Sequence, residues 1–65
     1  MVHYWRIRTR NPGGTDTYIK TNDVYFPAMI VDIAVRQKMF CDAFVDCVES
    51  VVEVTQEEYL TYMWD

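Results

Sequence analysis

The hydrophobic and polar positions first alternate one by one, over residues 2–10. One side of this segment carries His3, Trp5, Ile7 and Thr9, and the other carries Tyr4, Arg6, Arg8 and Arg10. A two-residue period is typical of a half-buried strand. Asn11-Pro12-Gly13-Gly14 then has the proline and glycines of a turn, and residues 15–21 are again rich in β-forming side chains. We predict a β-hairpin over residues 2–22.

A longer period, of three and four residues, begins at Phe26. It runs through Phe26, Ile30, Ile33, Gln37 and Phe40, with Met29 and Ala34 beside it. This spacing predicts an amphipathic helix of about 15 residues, roughly 22 Å long, which can cover the apolar face of the hairpin. Asn22 or Asp23 is the expected N-cap, and Pro27 suits the first turn because its missing N–H would be unpaired there.

Residues 42–54 fit two patterns. As a helix, they place apolar side chains on one face and Asp42, Asp46, Glu49 and Glu53 on the other. As a strand, they form a β-branched run with alternation from Val48 to Val54. An isolated hairpin is unstable without a third strand. We therefore predict that the helix ends near Cys41 to Ala43 and that a strand follows from about Val45 to Val54.

A short helix is predicted at the C-terminal end, from Gln56 to Met63. Thr55 is its expected N-cap, with a Glu at the third helical position and acidic residues near the positive end of the helix dipole. Its inward side chains should be Tyr59, Leu60 and Met63.

These elements predict one α+β domain spanning residues 1–65. The order is ββαβα, with a three-stranded, mostly antiparallel sheet covered on one face by an amphipathic helix. Hydrophobic residues make up 51% of the chain and aromatic residues 15%, which favours folding over disorder. A chain of this size buries only about 60% of the surface of its unfolded form, so its core must be dense or shared with another chain.

The sequence also bears on where the protein works. No apolar run reaches the roughly 18 residues that a membrane span requires, and the first residues do not resemble a cleaved leader. Two cysteines, Cys41 and Cys47, are too few for a secreted disulfide scaffold. We expect an unprocessed, soluble, cytoplasmic protein with two reduced thiols.

The residues that could carry catalysis or bind a metal are few. His3 is the only histidine and Ser50 the only serine, and they lie far apart in the sequence. The two cysteines and His3 fit no zinc spacing, and the acidic residues lack the pattern of a calcium loop. The glycines at 13 and 14 are not followed by the Lys-Ser/Thr of a phosphate-binding loop. We expect no enzyme activity, no metal and no cofactor.

Charge is divided along the chain. Residues 1–38 hold all six basic residues and three aspartates, for a net charge of +3, whereas residues 39–65 hold seven carboxylates and no basic residue, for −7. Opposed fields on a small protein orient it toward charged surfaces. The division therefore indicates a charged partner.

The basic strand is one candidate surface. Arg6, Arg8 and Arg10 project from one face about 6.5–7 Å apart, with Tyr4 beside them and Lys20 expected to join from the next strand. Such a row suits single-stranded nucleic acid, but the total charge of −4 opposes this. The alternatives are a solvated face that discourages edge pairing and a docking surface for an acidic protein.

The acidic and aromatic C-terminal region is the other candidate. Tyr and Trp are common interface anchors, and carboxylates steer association. The predicted partner-binding residues are Asp46, Glu49, Glu53, Glu57, Glu58, Tyr62 and Trp64. Their carboxylates could imitate a phosphate array; alternatively they pair with the basic strand or only keep the protein in solution, and the aromatic rings pack back on the sheet.

These observations together favour a small non-enzymatic regulator or inhibitor that binds another protein. Length, layout and charge polarity are similar to those of short regulatory and inhibitory proteins, including viral ones encoded by phages and mobile elements. By this resemblance the partner would be a host enzyme, and imitation of a phosphate array by the carboxylates would make it a nucleic-acid-binding one. The alternatives are an accessory subunit of a larger assembly, a homodimer and a weak single-strand binder using Arg6, Arg8 and Arg10.

Overall fold

The computed structural model describes the backbone of residues 1–10 and 16–64, and side chains in those ranges as far as Tyr62. The elements are β1 (His3–Thr9), β2 (Thr17–Thr21), α1 (Pro27–Arg36), a 3₁₀ segment (Asp42–Cys47), β3 (Val48–Val54) and α2 (Gln56–Trp64). The three strands form one antiparallel sheet in the order β2-β1-β3. The predicted α+β class, element order and sheet are confirmed. The turn predicted at residues 11–14 lies outside the described residues.

Strand β1 occupies the centre of the sheet, and α1 covers one of its faces. Trp5 and Ile7 point toward α1, where they form a core with Ile19, Ile30 and Ala34. The indole N–H of Trp5 donates a buried hydrogen bond of 2.8 Å to Thr21 Oγ1. That bond satisfies the polar end of a ring whose remainder is packed among apolar side chains.

The core is confined to the first part of the chain. The buried hydrophobic side chains are Trp5, Ile7, Tyr18, Ile19, Ile30, Val31, Ala34 and Phe40. From β3, Val48 and Val51 contribute partly buried side chains at the margin of this cluster. Among the described residues, therefore, every fully buried hydrophobic side chain belongs to residues 5–40.

Pro27 lies in the first turn of α1, as predicted, but the N-cap of the helix is Phe26. The expectation that Asn22 or Asp23 caps this helix is wrong. Proline restricts the preceding residue to extended conformations, and Phe26 accordingly has ψ 151°. Asp23 instead accepts a hydrogen bond at Oδ1 from the N–H of Val24. Phe26 is 82% exposed, so its predicted place on the inward stripe is also wrong.

Helix α1 ends at Arg36 and has 10 residues, so the predicted length of about 15 is wrong. Lys38 adopts φ 60°, the left-handed conformation that ends many helices. The N–H of Met39 donates to Ala34 O at 2.9 Å, and the N–H of Lys38 to Val35 O at 3.0 Å. These two bonds define a Schellman motif. Phe40 is buried as expected, but from the loop beyond the helix.

The ambiguous stretch contains a strand, but that strand begins at Val48 and not near Val45. Val45 lies in the 3₁₀ segment, whose first turn is closed by the N–H of Phe44 donating to Cys41 O. The register between β1 and β3 shifts at Arg8 and Thr9. Pairing continues past this shift as far as Thr9 and Val48. β3 starts later than its β-branched composition suggests because residues 42–47 form the 3₁₀ segment instead.

Helix α2 begins as predicted, because Thr55 Oγ1 accepts a hydrogen bond from the N–H of Glu58 at 3.1 Å. The ring of Tyr59 lies 4.8 Å from that of Tyr4. Since Tyr4 alternates with Trp5 along β1, α2 packs on the face of the sheet opposite α1. The predicted inward position of Leu60 is wrong, as this side chain is 41% exposed. The side chain of Met63 lies outside the described residues.

Candidate docking site

Two of the predicted partner-binding residues contact the sheet of their own chain. Glu58 Oε2 accepts hydrogen bonds from Arg6 Nη1 at 3.0 Å and from the Tyr18 hydroxyl at 2.9 Å. The ring of Tyr62 lies 4.4 Å from that of Tyr18. We call Arg6, Tyr18, Glu58 and Tyr62 the Glu58 cluster. It joins the acidic C-terminal region to the basic strand, so the two candidate surfaces of the sequence meet here.

The Glu58 cluster shifts the titration of Tyr18. Burial raises the pKa of the Tyr18 hydroxyl above its usual 10.0, and the hydrogen bond to the Glu58 carboxylate raises it further. Both effects disfavour a phenolate at this position. Tyr18 is therefore a neutral donor that holds Glu58.

The rest of the basic row also has acceptors within the chain. Arg8 Nε and Nη2 each donate to the Asp16 carboxylate at 3.2 Å, and this bond raises the pKa of the Arg8 guanidinium. Arg10 Nη2 donates to Asp46 O at 3.0 Å. Lys20 is exposed and forms no ion pair in the described part of the chain. The row therefore offers less unpaired positive charge than its sequence predicts.

The remaining predicted residues of the C-terminal region do not converge on one surface. Glu53 lies opposite Trp5 on the α1 face, and its Oε2 is 2.7 Å from His3 Nδ1. Glu57 is exposed in the first turn of α2. The side chain of Trp64 lies outside the described residues. Glu53 is thus separated by the sheet from Glu58 and Tyr62.

Unpaired negative charge is concentrated where the 3₁₀ segment leads into β3. Asp42, Asp46 and Glu49 are all exposed. Within residues 1–10 and 16–64, no Lys, Arg or His forms an ion pair with any of the three. Of the predicted partner-binding residues, Asp46 and Glu49 are therefore exposed and without an ion pair, and they lie three residues apart in the sequence.

An open groove lies beside this acidic segment, between α1, the 3₁₀ segment and β3. Its volume is about 520 Å³. Its wall contains five valines, and its polar residues include three carboxylates. The valines are Val31, Val35, Val45, Val48 and Val51, and the carboxylates are Asp32, Asp42 and Glu49. We call this feature the acidic groove.

The acidic groove lies along the flank of α1. Its α1 residues run from Pro27 and Ala28 at the start of the helix to Val35, and its β3 residues run from Val48 to Val51. The side chains of Ile30 and Ala34 pack into the core with β1 and β2, and β3 contains no buried residue. Sequence reasoning missed the groove because periodicity predicts which side of a helix is buried but not where the helix lies across the sheet.

A second apolar surface lies between β2 and α1. Val24, Tyr25, Phe26 and Met29 are all exposed and surround a shallow concavity of about 480 Å³. We call these four residues the Phe26 patch. The sequence placed Phe26 on the inward stripe of the helix and so did not indicate this patch, although Phe26 is the most exposed of the aromatic side chains that the structure describes.

The potential metal ligands and the thiols complete the description of the site residues. No group of three or more His, Cys, Asp or Glu side chains in this part of the chain is arranged to hold a metal ion. Cys41 and Cys47 are both free thiols, as expected. None of the helices described has the length and apolar character needed to cross a membrane.

Comparison of the chain with protein-family models, with curated proteins and with solved structures returned no match.

Proposed function

We propose that the protein is a non-enzymatic regulator or inhibitor that binds another protein through the acidic groove and the adjoining Asp46. The observation that carries this proposal is the groove itself, where an apolar wall and carboxylates occur together. Apolar walls provide the buried area of an interface, and charges at its edge set orientation and association rate. The expected partner surface is basic at its rim and apolar at its centre.

The distribution of paired and unpaired charges supports the groove over the end of α2. Glu58 and Tyr62 are engaged with Arg6 and Tyr18, so their use in docking would require breaking contacts within the chain. The Asp42 and Glu49 side chains form no such hydrogen bond or ion pair in the described part of the chain. A nucleic-acid-binding enzyme remains one proposed partner class, because its cleft presents the basic surface that these carboxylates would meet.

Charge reversal tests this proposal. The wild-type protein, Asp42→Lys and Glu57→Lys are each immobilised and used to capture partners from an extract of the native cells. Glu57→Lys is the matched control, since Glu57 is also exposed and acidic but lies in α2. A partner bound through the groove should lose about tenfold in affinity with Asp42→Lys and little with Glu57→Lys.

Kinetics with the purified partner complete the experiment. Asp42→Lys should slow association and reduce its dependence on salt, because the lost interaction acts at long range. If Glu57→Lys weakens binding as much as Asp42→Lys, the groove is not the docking surface.

An accessory subunit of a larger assembly is the second candidate, supported by the Phe26 patch. A Phe ring that is 82% exposed beside three other exposed apolar side chains favours a permanent contact. In that case Phe26→Ser should prevent assembly while leaving groove binding unchanged. Co-purification of the variant with its assembly would exclude this role.

A further inference from the structure

Strand β3 forms an accessible edge of the sheet. In the order β2-β1-β3, both β2 and β3 are outer strands. β2 has 5 residues, of which Tyr18, Ile19 and Thr21 are buried. β3 has 7 residues and none of them is buried. Unpaired edge groups readily accept another strand, and we take the longer and more exposed β3 as the edge for a second chain.

The acidic groove adjoins this edge. Val48, Ser50 and Val51 of β3 line it, and Val51 lies opposite the core residue Ile7 on the α1 face. Side chains of a strand alternate between its two faces. Every second side chain of a strand added beside β3 would therefore lie over the groove, where the valines provide apolar contact.

A second copy of this chain is a poor occupant of the edge. Antiparallel pairing of β3 with itself over all 7 residues would be centred on Val51 and would place Glu49 opposite Glu53 on both sides. Like charges directly opposite are destabilising. If the added strand carries Lys or Arg opposite Glu49 and Glu53, both pairs attract instead of repelling. Asp42, at the rim of the groove, would attract a third basic residue.

The edge also lacks the usual protection against a basic strand. Natural edges are blocked by charged side chains, most often Lys, and by Pro or bulges. β3 contains neither Lys nor Pro, and its register shift is confined to the end near Val48. Its charged residues, Glu49 and Glu53, repel acidic strands and attract basic ones.

We propose that the partner protein supplies an extended segment, with alternating basic and β-branched residues, which pairs with the free edge of β3 and places its apolar side chains in the acidic groove. This inference rests on the proposed function and specifies the partner's conformation and chemistry. Main-chain hydrogen bonds would provide affinity, and the groove and its carboxylates would provide specificity, as in other cases of strand addition.

The probe is a capped nine-residue peptide of alternating lysine and valine. Amide chemical shifts and hydrogen exchange of the full-length ¹⁵N-labelled protein report where it binds. We expect shift changes and slower exchange in Val48–Val54, with little change in Thr17–Thr21. A peptide with glutamate in place of lysine should bind at least about tenfold more weakly.

N-methylated peptides distinguish strand addition from binding through side chains alone. Two peptides are made, each methylated at one alternating set of amides. One set must face β3, so one peptide should lose at least about tenfold in affinity while the other binds like its parent. Equal binding by both, or no change in β3 amides at millimolar peptide, overturns strand addition.

Two further measurements separate the possible failures. Sedimentation of the free protein should show a monomer; a dimer that protects the β3 amides would make a second copy the occupant. If Asp42→Lys still weakens the native partner but no peptide binds β3, strand addition is wrong and the proposed function stands. If Asp42→Lys leaves the native partner's affinity unchanged, the proposed function itself is wrong.

Discussion

The Glu58 cluster permits a quantitative test of what holds α2 on the sheet. In Glu58→Ala, the Arg6 guanidinium and the Tyr18 hydroxyl both lose their acceptor. Arg6 Nε is already buried without a hydrogen-bond partner in the described structure. The substitution therefore leaves a partly buried cation and a buried hydroxyl without the carboxylate that satisfies them.

The magnitude follows from these two bonds. A hydrogen bond to a charged group contributes about 1.5–3 kcal/mol when shielded from water. The Arg6 and Glu58 side chains are 24% and 38% exposed, so solvent screening lowers their share. We expect Glu58→Ala to reduce the free energy of unfolding by about 2 kcal/mol. The whole domain should have roughly 3–10 kcal/mol, so this loss is large.

Urea denaturation followed by circular dichroism measures the effect. With a slope near 1 kcal/mol per molar, the unfolding midpoint of Glu58→Ala should fall by about 2 M. Glu57→Ala is the matched control, because Glu57 lies in the same first turn and its loss alters the helix dipole interaction by a similar few tenths of a kcal/mol. If the two variants unfold at the same urea concentration, the Glu58 cluster does not stabilise the domain.

Three further predictions concern other parts of the fold. Lys38→Gly should stabilise the domain by up to about 1 kcal/mol because glycine adopts the left-handed conformation without steric cost, and a lower urea midpoint would contradict the Schellman assignment. Ile30→Ala should cost about 2–5 kcal/mol, against less than about 0.5 kcal/mol for the exposed Met29→Ala; similar urea midpoints would show that α1 does not seal the core. The raised pKa of Tyr18 means that the folded state holds this proton more tightly than the unfolded chain, so the stabilisation is complete below pH 10 and is lost as pH rises through the folded-state pKa. As the pH is raised above 10, the melting temperature of Tyr18→Phe should therefore fall less than that of the wild type. The melting temperature of Tyr25→Phe should fall as much as that of the wild type.

Local signals in the sequence were sufficient for much of the fold. The alternation around Trp5 and Ile7 predicts which face of β1 is buried, because strand periodicity fixes side-chain direction. Thr55 predicts the start of α2, because an N-cap acts within one turn. These elements are specified by neighbouring residues, and the structure agrees with them.

The candidate site was less accessible to sequence reasoning because it depends on where elements end and meet. The position of the acidic groove depends on where α1 lies across the sheet, which no local residue preference indicates. The hydrogen bonds of Glu58 depend on α2 packing against Arg6 and Tyr18. These two residues are 52 and 40 positions away from Glu58 in the sequence. The sequence therefore shows which residues are charged, but it does not show which of these charges are paired within the fold.

The confinement of the buried hydrophobic side chains to residues 5–40 has an evolutionary consequence. Substitutions at exposed positions usually change stability by less than about 0.5 kcal/mol. The exposed positions of the 3₁₀ segment and β3, such as Asp42, Asp46 and Glu49, can therefore exchange charge and size while Trp5, Ile7 and Ile30 continue to specify the fold. A lineage under pressure to follow a changing partner could diversify these exposed positions and conserve the buried positions within residues 5–40. The positions that specify the fold are thus separate from the positions that can change to suit a partner.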